Sequence, residues 1–247
     1  MKTIYILWLR QLKRYSRSKA RIIGSIGQPL LFLVALGFGL GPVFERAGEG
    51  NYLQFLSPGI IAMSIVFTAV FSGIEIIWDR QFGFLKETLV APVSRLEIMI
   101  GRTLGGATIA LFQALIVFVI TIPLGFRPNL VMLPLAILFM LLIALFFTAL
   151  GTAIASLLKD MQGFQLIMNF IIMPTFFLSG ALFPTNGLSP MLKRLLSINP
   201  LSYGIDGLRG TLIGISNYGI SLDFIALGAI TSIFLVLGAY LFSKIQI

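Results

Sequence analysis

The sequence contains no cysteine and no histidine, and only 11% of its 247 residues are charged. Those absences remove thiolate nucleophiles, disulfides, imidazole bases and the usual ligands of zinc and haem. Acidic residues are especially scarce, with nine Asp and Glu against eighteen Lys and Arg. They are scattered and show no paired spacing, so no metal site and no catalytic residue is expected. The phosphate-cradling pattern GxxxxGK[ST] is missing as well, which leaves the chain without an obvious nucleotide site of its own. There is no small-residue cleavage pattern after the first apolar run, and the N-terminus is heavily charged, so no cleavable signal peptide is expected.

Apolar residues make up 57% of the chain, and its mean hydropathy is +0.99. A soluble globular protein carries about 25% charged residues, more than twice the fraction found here. Several apolar runs reach the roughly 20 residues that a bilayer-spanning helix needs. The runs are continuous rather than alternating, which selects helices over a barrel. The expected fold is an all-α integral membrane protein, one transmembrane domain over 1–247. Six transmembrane helices are expected near 22–40, 55–77, 104–124, 131–158, 164–183 and 224–242, with Pro174 kinking the fifth.

Residues 1–21 read as an amphipathic helix. At about 100° per residue, Ile4, Trp8, Leu12 and Tyr15 share one face and Lys2, Arg10, Lys13 and Arg17 the other. That pattern suits an interfacial helix, with its basic side chains towards anionic membrane lipids and Trp8 and Tyr15 anchored at headgroup level. It is also compatible with contact to a cytosolic partner. The region 184–222 is punctuated by Pro184, Gly187, Pro190 and Pro200. Its helical stretches, 191–198 and 203–213, are too short to span and are expected as interfacial or re-entrant half-helices. Six spans put both termini on one side. Thirteen Lys and Arg fall on that side and five on the other, so the positive-inside rule makes the termini cytoplasmic and 184–222 external. The expected location is the plasma or inner membrane, and no nucleic-acid partner is expected.

Residues 78–102 form the one long charged interruption in the first three quarters of the chain. A short helix is expected across about 84–90, closed by Pro92, with Ser94 as N-cap of the next helix. Glu75, just before it, is expected near the headgroups and able to pair with Arg80. The bland reading is a solvated loop. The apolar content of the segment and its near-balanced charge favour a docking surface, with Phe82, Leu85 and Leu89 as anchors. Within the spans, Ser64, Thr68 and Ser72 recur at helical spacing, as do Gln165 and Asn169. Two readings fit these residues: glue between helices, or the lining of a pathway. Asp206 and Arg209, at i and i+3, are expected to form an ion pair.

The segment Asp79-Arg80-Gln81-Phe82-Gly83-Phe84-Leu85-Lys86-Glu87-Thr88-Leu89-Val90-Ala91-Pro92-Val93-Ser94-Arg95 resembles the signature of the ABC-2 family of transporter permeases, departing at Phe84, where threonine is usual. Leu178-Ser179-Gly180-Ala181-Leu182-Phe183-Pro184 and Asn199-Pro200-Leu201-Ser202-Tyr203-Gly204-Ile205-Asp206-Gly207-Leu208-Arg209-Gly210 resemble the same family, in the branch of antibiotic-resistance and nodulation-type exporters. The resemblance implies a cytoplasmic coupling helix between spans two and three. It implies docking of separately made ABC ATPase subunits there, through Arg80, Phe82, Gly83, Leu85, Lys86, Glu87, Leu89, Pro92 and Arg95. ATP and Mg would be bound by those partners, with no cofactor in this chain. A second permease copy, as a homodimer, and outer half-helices capping the external end of the path are implied too. The expected function is export of an amphiphilic or hydrophobic drug or lipid. The alternative is a lipid-linked polysaccharide or lipo-oligosaccharide. A stand-alone carrier or a membrane-embedded enzyme is more remote.

Overall fold

The computed structural model describes residues 2–47, 50–84, 93–185 and 188–244, the side chains of Ala20 and Arg21 excepted. Those residues form α-helices and no strand. In chain order the helices are α1 (Lys2–Ser16), α2 (Lys19–Arg46), α3 (Tyr52–Phe71), α4 (Ile74–Gln81) and α5 (Arg95–Thr121). After a single 3-10 turn at Leu130–Met132 come α6 (Leu133–Leu157), α7 (Met161–Phe177), α8 (Pro190–Ile198), α9 (Pro200–Ile213) and α10 (Ile220–Ser243). Short polar side chains set several of the starts. Asn51, Ser94, Asp160, Ser189 and Asn199 each accept a backbone N–H of the first turn, satisfying donors that have no partner within the helix.

Five stretches are long and apolar enough to cross a membrane: Ile22–Arg46, Tyr52–Gln81, Arg95–Thr121, Leu130–Leu157 and Ile220–Ser243. The second includes both α3 and α4, which are separated by a break at Ser72 and Gly73. The expected fifth span is shorter than its sequence suggests. Helix α7 has 17 residues and stops at Phe177, below the roughly 20 that cross a bilayer unaided. Past Pro174 the chain turns, with the Leu178 N–H bonded to the Pro174 carbonyl at 2.8 Å and Gly180 at φ +73°. Two short helices, α8 and α9, occupy the region where half-helices are expected.

Lipid tails are as apolar as leucine, so membrane helices associate where small residues let backbones approach. The crossing of α3–α4, α5 and α6 is built this way. A methyl on Gly73 would lie 2.5 Å from the Gly151 carbonyl oxygen, and one on Gly151 would lie 2.5 Å from that of Val70. One on Gly106 would lie 2.5 Å from Ser72 Oγ and 2.8 Å from the Thr148 methyl.

Helix α1, expected as an interfacial anchor, also packs tightly on α5. Gly101 and Gly105, four apart on α5, admit it so closely that added methyls would lie 2.9 Å from Leu7 Cβ and 2.7 Å from Gln11 Cβ. Trp8 Nε1 donates to Thr108 Oγ1 at 3.0 Å, and the Tyr15 hydroxyl donates to Gln113 Oε1. The polar tips expected among headgroups are therefore engaged by α5, and Tyr15 is buried. At the other end, Gly204 and Gly207 of α9 lie against Ile143 and Phe139 of α6. Helix α7 buries only the stripe Phe164, Met168, Ile172 and Phe176.

Gly151→Val is expected to destabilise the protein by about 1–3 kcal/mol through overpacking. Gly228→Val, at a position with nothing within 4 Å, is expected to leave stability nearly unchanged. Thermal unfolding in detergent, followed by loss of the monodisperse chromatographic peak, measures both.

Candidate functional site

Helix α4 carries Glu75 and Asp79 one turn apart, both only 3% exposed. Carboxylates so enclosed need cations, and two other helices supply them. Arg102 of α5, itself buried, donates from Nη2 to Asp79 Oδ2. Arg10 of α1 donates to both Asp79 oxygens at 3.2 and 3.3 Å. Arg14, one turn further along α1, lies 3.6 Å from Asp79 and 3.8 Å from Glu75, with its guanidinium 5.4 Å from the centroid of the Trp78 ring. Three guanidiniums and two carboxylates thus join α1, α4 and α5 at the root of the 78–102 segment.

Two sequence expectations change here. Glu75 pairs with Arg14 rather than with Arg80. Arg80 instead donates to the Leu158 and Ser156 carbonyls, at 2.7 and 3.3 Å, and closes the C-terminal end of α6, where free carbonyls favour a cation. Of the other proposed docking residues, Phe82 is 70% exposed, and its neighbour Phe84 is 51% exposed. Gly83 turns the chain out of α4 at φ +82°, and Arg95 donates to the Ser243 carbonyl. Leu85, Lys86, Glu87, Leu89 and Pro92 lie outside the described residues. Ser94 caps α5 as expected, accepting the Glu97 N–H at 3.1 Å.

Above the charged cluster, a cavity of about 400 Å³ opens between α2, α3–α4 and α5. Its polar lining includes Ser25, Gln28, Thr68, Ser72 and Glu75, interleaved with Phe67, Phe71 and Trp78. Ser72 Oγ donates to the Ala69 carbonyl at 2.6 Å, but the buried Thr68 Oγ1 has no hydrogen-bond partner. Of the three residues expected along one path, Thr68 and Ser72 line the cavity. Ser64 is buried, with its hydroxyl bonded to the Ile61 carbonyl at 2.7 Å, so it belongs to helix packing. Gln165 and Asn169 lie on the exposed face of α7 and do not line this cavity. Ser25 and Gln28 were not singled out in the sequence, although their spacing of three in an apolar run carried the signal.

At the opposite end, Asp206 and Arg209 do not pair as expected. Asp206 accepts from Ser216 Oγ, the Asn217 amide N–H and side chain, and the Tyr218 N–H, at 2.8 to 3.0 Å, and so holds the loop after α9. Arg209 donates to the Phe55 and Ala181 carbonyls at 3.2 and 2.9 Å, and its guanidinium lies 3.7 Å from the Phe55 ring centroid. A loop of free N–H groups claims the carboxylate, and buried carbonyls claim the guanidinium. Asn199 Nδ2 donates to the Thr175 and Leu178 carbonyls, while its Oδ1 caps α9. Arg209 and Asn199 thereby bind the 199–210 motif to the 178–184 turn. Burial raises the Tyr218 phenol above its ordinary range, with Tyr203, Asp206 and Asp223 adding to the effect, so it stays neutral beside the Tyr203 ring 5.3 Å away.

Residues 2–213 match the family described as "ABC-2 type transporter". A protein described as "Putative transport permease ycf38" from Porphyra purpurea is 33% identical over 244 residues, 93% of this chain and 83% of its own length. Another of that description, from Pyropia yezoensis, is 34% identical over 200 residues, 78% of this chain and 68% of its own. "Nodulation protein J" of Rhizobium leguminosarum bv. viciae is 28% identical over 211 residues, covering 84% of this chain and 81% of its own.

Removing one member of a buried ion pair typically costs about 3–5 kcal/mol, because its partner is left uncompensated. Asp79→Ala is expected to destabilise the protein by that amount, and Arg102→Met added to it to recover part of the loss. The comparison is read from thermal unfolding of the wild type, both single variants and the double variant.

Proposed function

The chain belongs to the ABC-2 type transporter family and is a multi-pass membrane transport permease; from there we propose that it is the membrane subunit of an exporter that moves an amphiphilic or hydrophobic substrate, a drug or a lipid. Permeases of this family work with ABC ATPase subunits. In this reading those subunits bind ATP and Mg, dock on the 78–102 segment and supply the energy. The proposed topology has both termini and this segment in the cytoplasm and α8 and α9 outside.

The observation that carries the substrate reading is the polar cavity at Thr68 and Ser72 inside an apolar bundle. A hydroxyl left without a partner away from water is costly, and a ligand or water that bonds Thr68 removes that cost. Movement reaches the cavity through α4. Displacement of the docking segment acts on Asp79 and Glu75, and their ion pairs carry α1 and α5 along as one packed body. The exposed faces of α2, with Leu31 and Phe38, and of α7, with Leu166 and Phe170, support a second copy of the chain across them, with Gln165 and Asn169 towards a shared path.

A second reading, export of a lipid-linked polysaccharide or lipo-oligosaccharide, is favoured by the same lining. Phe67, Phe71 and Trp78 alternate with hydroxyls and the Gln28 amide, a combination that offers ring faces and hydrogen bonds together to a sugar.

Co-reconstitution with the ATPase subunits tests the proposal. Leu85→Asp with Leu89→Asp is expected to abolish co-purification of the subunits. Thr68→Trp, which fills the cavity, is expected to leave assembly and basal ATP hydrolysis intact while removing most of the stimulation by substrate. Full assembly and transport in both variants would contradict the proposal.

A further inference from the structure

Beside the charged cluster, on the side away from α5, a second groove of about 590 Å³ runs between α1 and the end of α4. One wall is cationic. Arg10, Lys13, Arg14 and Arg17 line it at helical spacings of three and four. Like charges at such spacings repel and weaken a helix unless something answers them. Among the described residues the carboxylates nearby do not suffice. Asp79 and Glu75 face three guanidiniums, those of Arg10, Arg14 and Arg102, which leaves one positive charge in excess within that group. Lys13 and Arg17 have no carboxylate within ion-pair distance among the described residues, and they raise the excess to three.

Much of the remaining lining is apolar. Ile6 of α1, Phe82 and Phe84 border the groove and are 61%, 70% and 51% exposed, and Trp78 also lines it, its ring centroid 5.4 Å from the Arg14 guanidinium. A free anion needs none of this apolar surface, and an acyl chain needs none of the charge. A molecule that joins the two fits both parts of the lining, and the volume lies within the range of small-molecule sites. We propose that this groove binds the phosphate headgroup of an anionic membrane lipid, with Lys13 and Arg17 on the phosphate and the first acyl carbons along Ile6, Phe82 and Phe84. The groove adjoins the cavity at Thr68, since Trp78 lines both, but Lys13 and Arg17 line the groove and not that cavity. Lipid bound there neutralises the outward face of α1 while its inward face stays locked on α5.

Fluorescence of Trp78 reports a lipid beside it, and dependence of the signal on Lys13 and Arg17 assigns that lipid to this groove rather than to the Thr68 cavity. In a Trp8→Phe background Trp78 is the sole tryptophan, and the full chain is placed in phosphatidylcholine nanodiscs containing increasing phosphatidylglycerol brominated on its acyl chains. Quenching is expected to saturate at a low mole fraction of the anionic lipid, whereas brominated phosphatidylcholine quenches weakly and without saturation. Each basic residue near an anionic lipid surface is worth a several-fold change in binding. Lys13→Gln with Arg17→Gln is therefore expected to raise the half-saturating fraction at least about tenfold, with an unchanged melting temperature. Native mass spectrometry of the unmodified chain, counting retained phosphatidylglycerol with and without the double substitution, gives the same answer if Trp8→Phe folds poorly. Equal quenching by both lipids overturns the proposal, as does an unchanged midpoint in the double variant. Displacement of the lipid by millimolar inorganic phosphate also overturns it, because the apolar lining would then contribute nothing. Loss of ATPase-subunit binding in the double variant with lipid quenching intact assigns the groove to a protein partner instead.

Discussion

The structure depends on the burial of Asp79 against Arg102. Both side chains are 4% exposed, and neither is tolerable there alone. Net stability is not the main consequence, since apolar residues of similar volume often do as well in such places. The consequence is geometric. Asp79 sits on α4, Arg102 sits on α5, and Arg10 and Arg14 reach the same carboxylates from α1. Helices that adjoin the 78–102 segment on both sides are therefore fixed to one another, and to the N-terminal helix, by these ion pairs.

Glycine serves the same end by a different force. Gly101 and Gly105 bring α1 onto α5, and Gly73, Gly106 and Gly151 bring three backbones together one level deeper. Van der Waals contact at such distances is lost steeply with separation, so these crossings resist sliding. Away from them, packing is sparse, and α2 and α7 expose much of their apolar surface. A rigid root beside less covered helices suits the proposed movement of the permease from one end, and the Thr68 cavity lies on that boundary, with α2 as one wall.

Local chemistry was legible in the sequence, and long-range partnership was not. Ser94 announced a helix start because a cap depends on the next three residues. The long apolar runs gave the spans, and proline and glycine marked off α8 and α9. The family resemblance rested on motifs whose physical roles the fold explains: Gly204 and Gly207 admit Ile143 and Phe139, and Arg209 grips the Ala181 carbonyl. The expected pairs Glu75–Arg80 and Asp206–Arg209 failed because each was chosen for proximity along the chain. Arg80 is held by carbonyls 76 and 78 positions away, and Asp206 by a loop 10 to 12 positions on. Trp8 and Tyr15 were assigned to the headgroups for their amphipathic rings, and nothing near them in sequence signalled Thr108 or Gln113. The end of α7 was hidden because residues 178–183 are apolar enough to continue a span, while Gly180 turns the backbone.

The central claim is that α1 and α5 move as one body when the ATPase subunits act. Spin labels at exposed Ser16 of α1 and Phe112 of α5 give their separation in the assembled complex by pulsed electron resonance. The distance distribution is expected to be the same without nucleotide and with ATP trapped, while a pair from Phe112 to exposed Leu31 of α2 shifts. A shift or broadening of the Ser16–Phe112 distribution on ATP trapping would contradict the account.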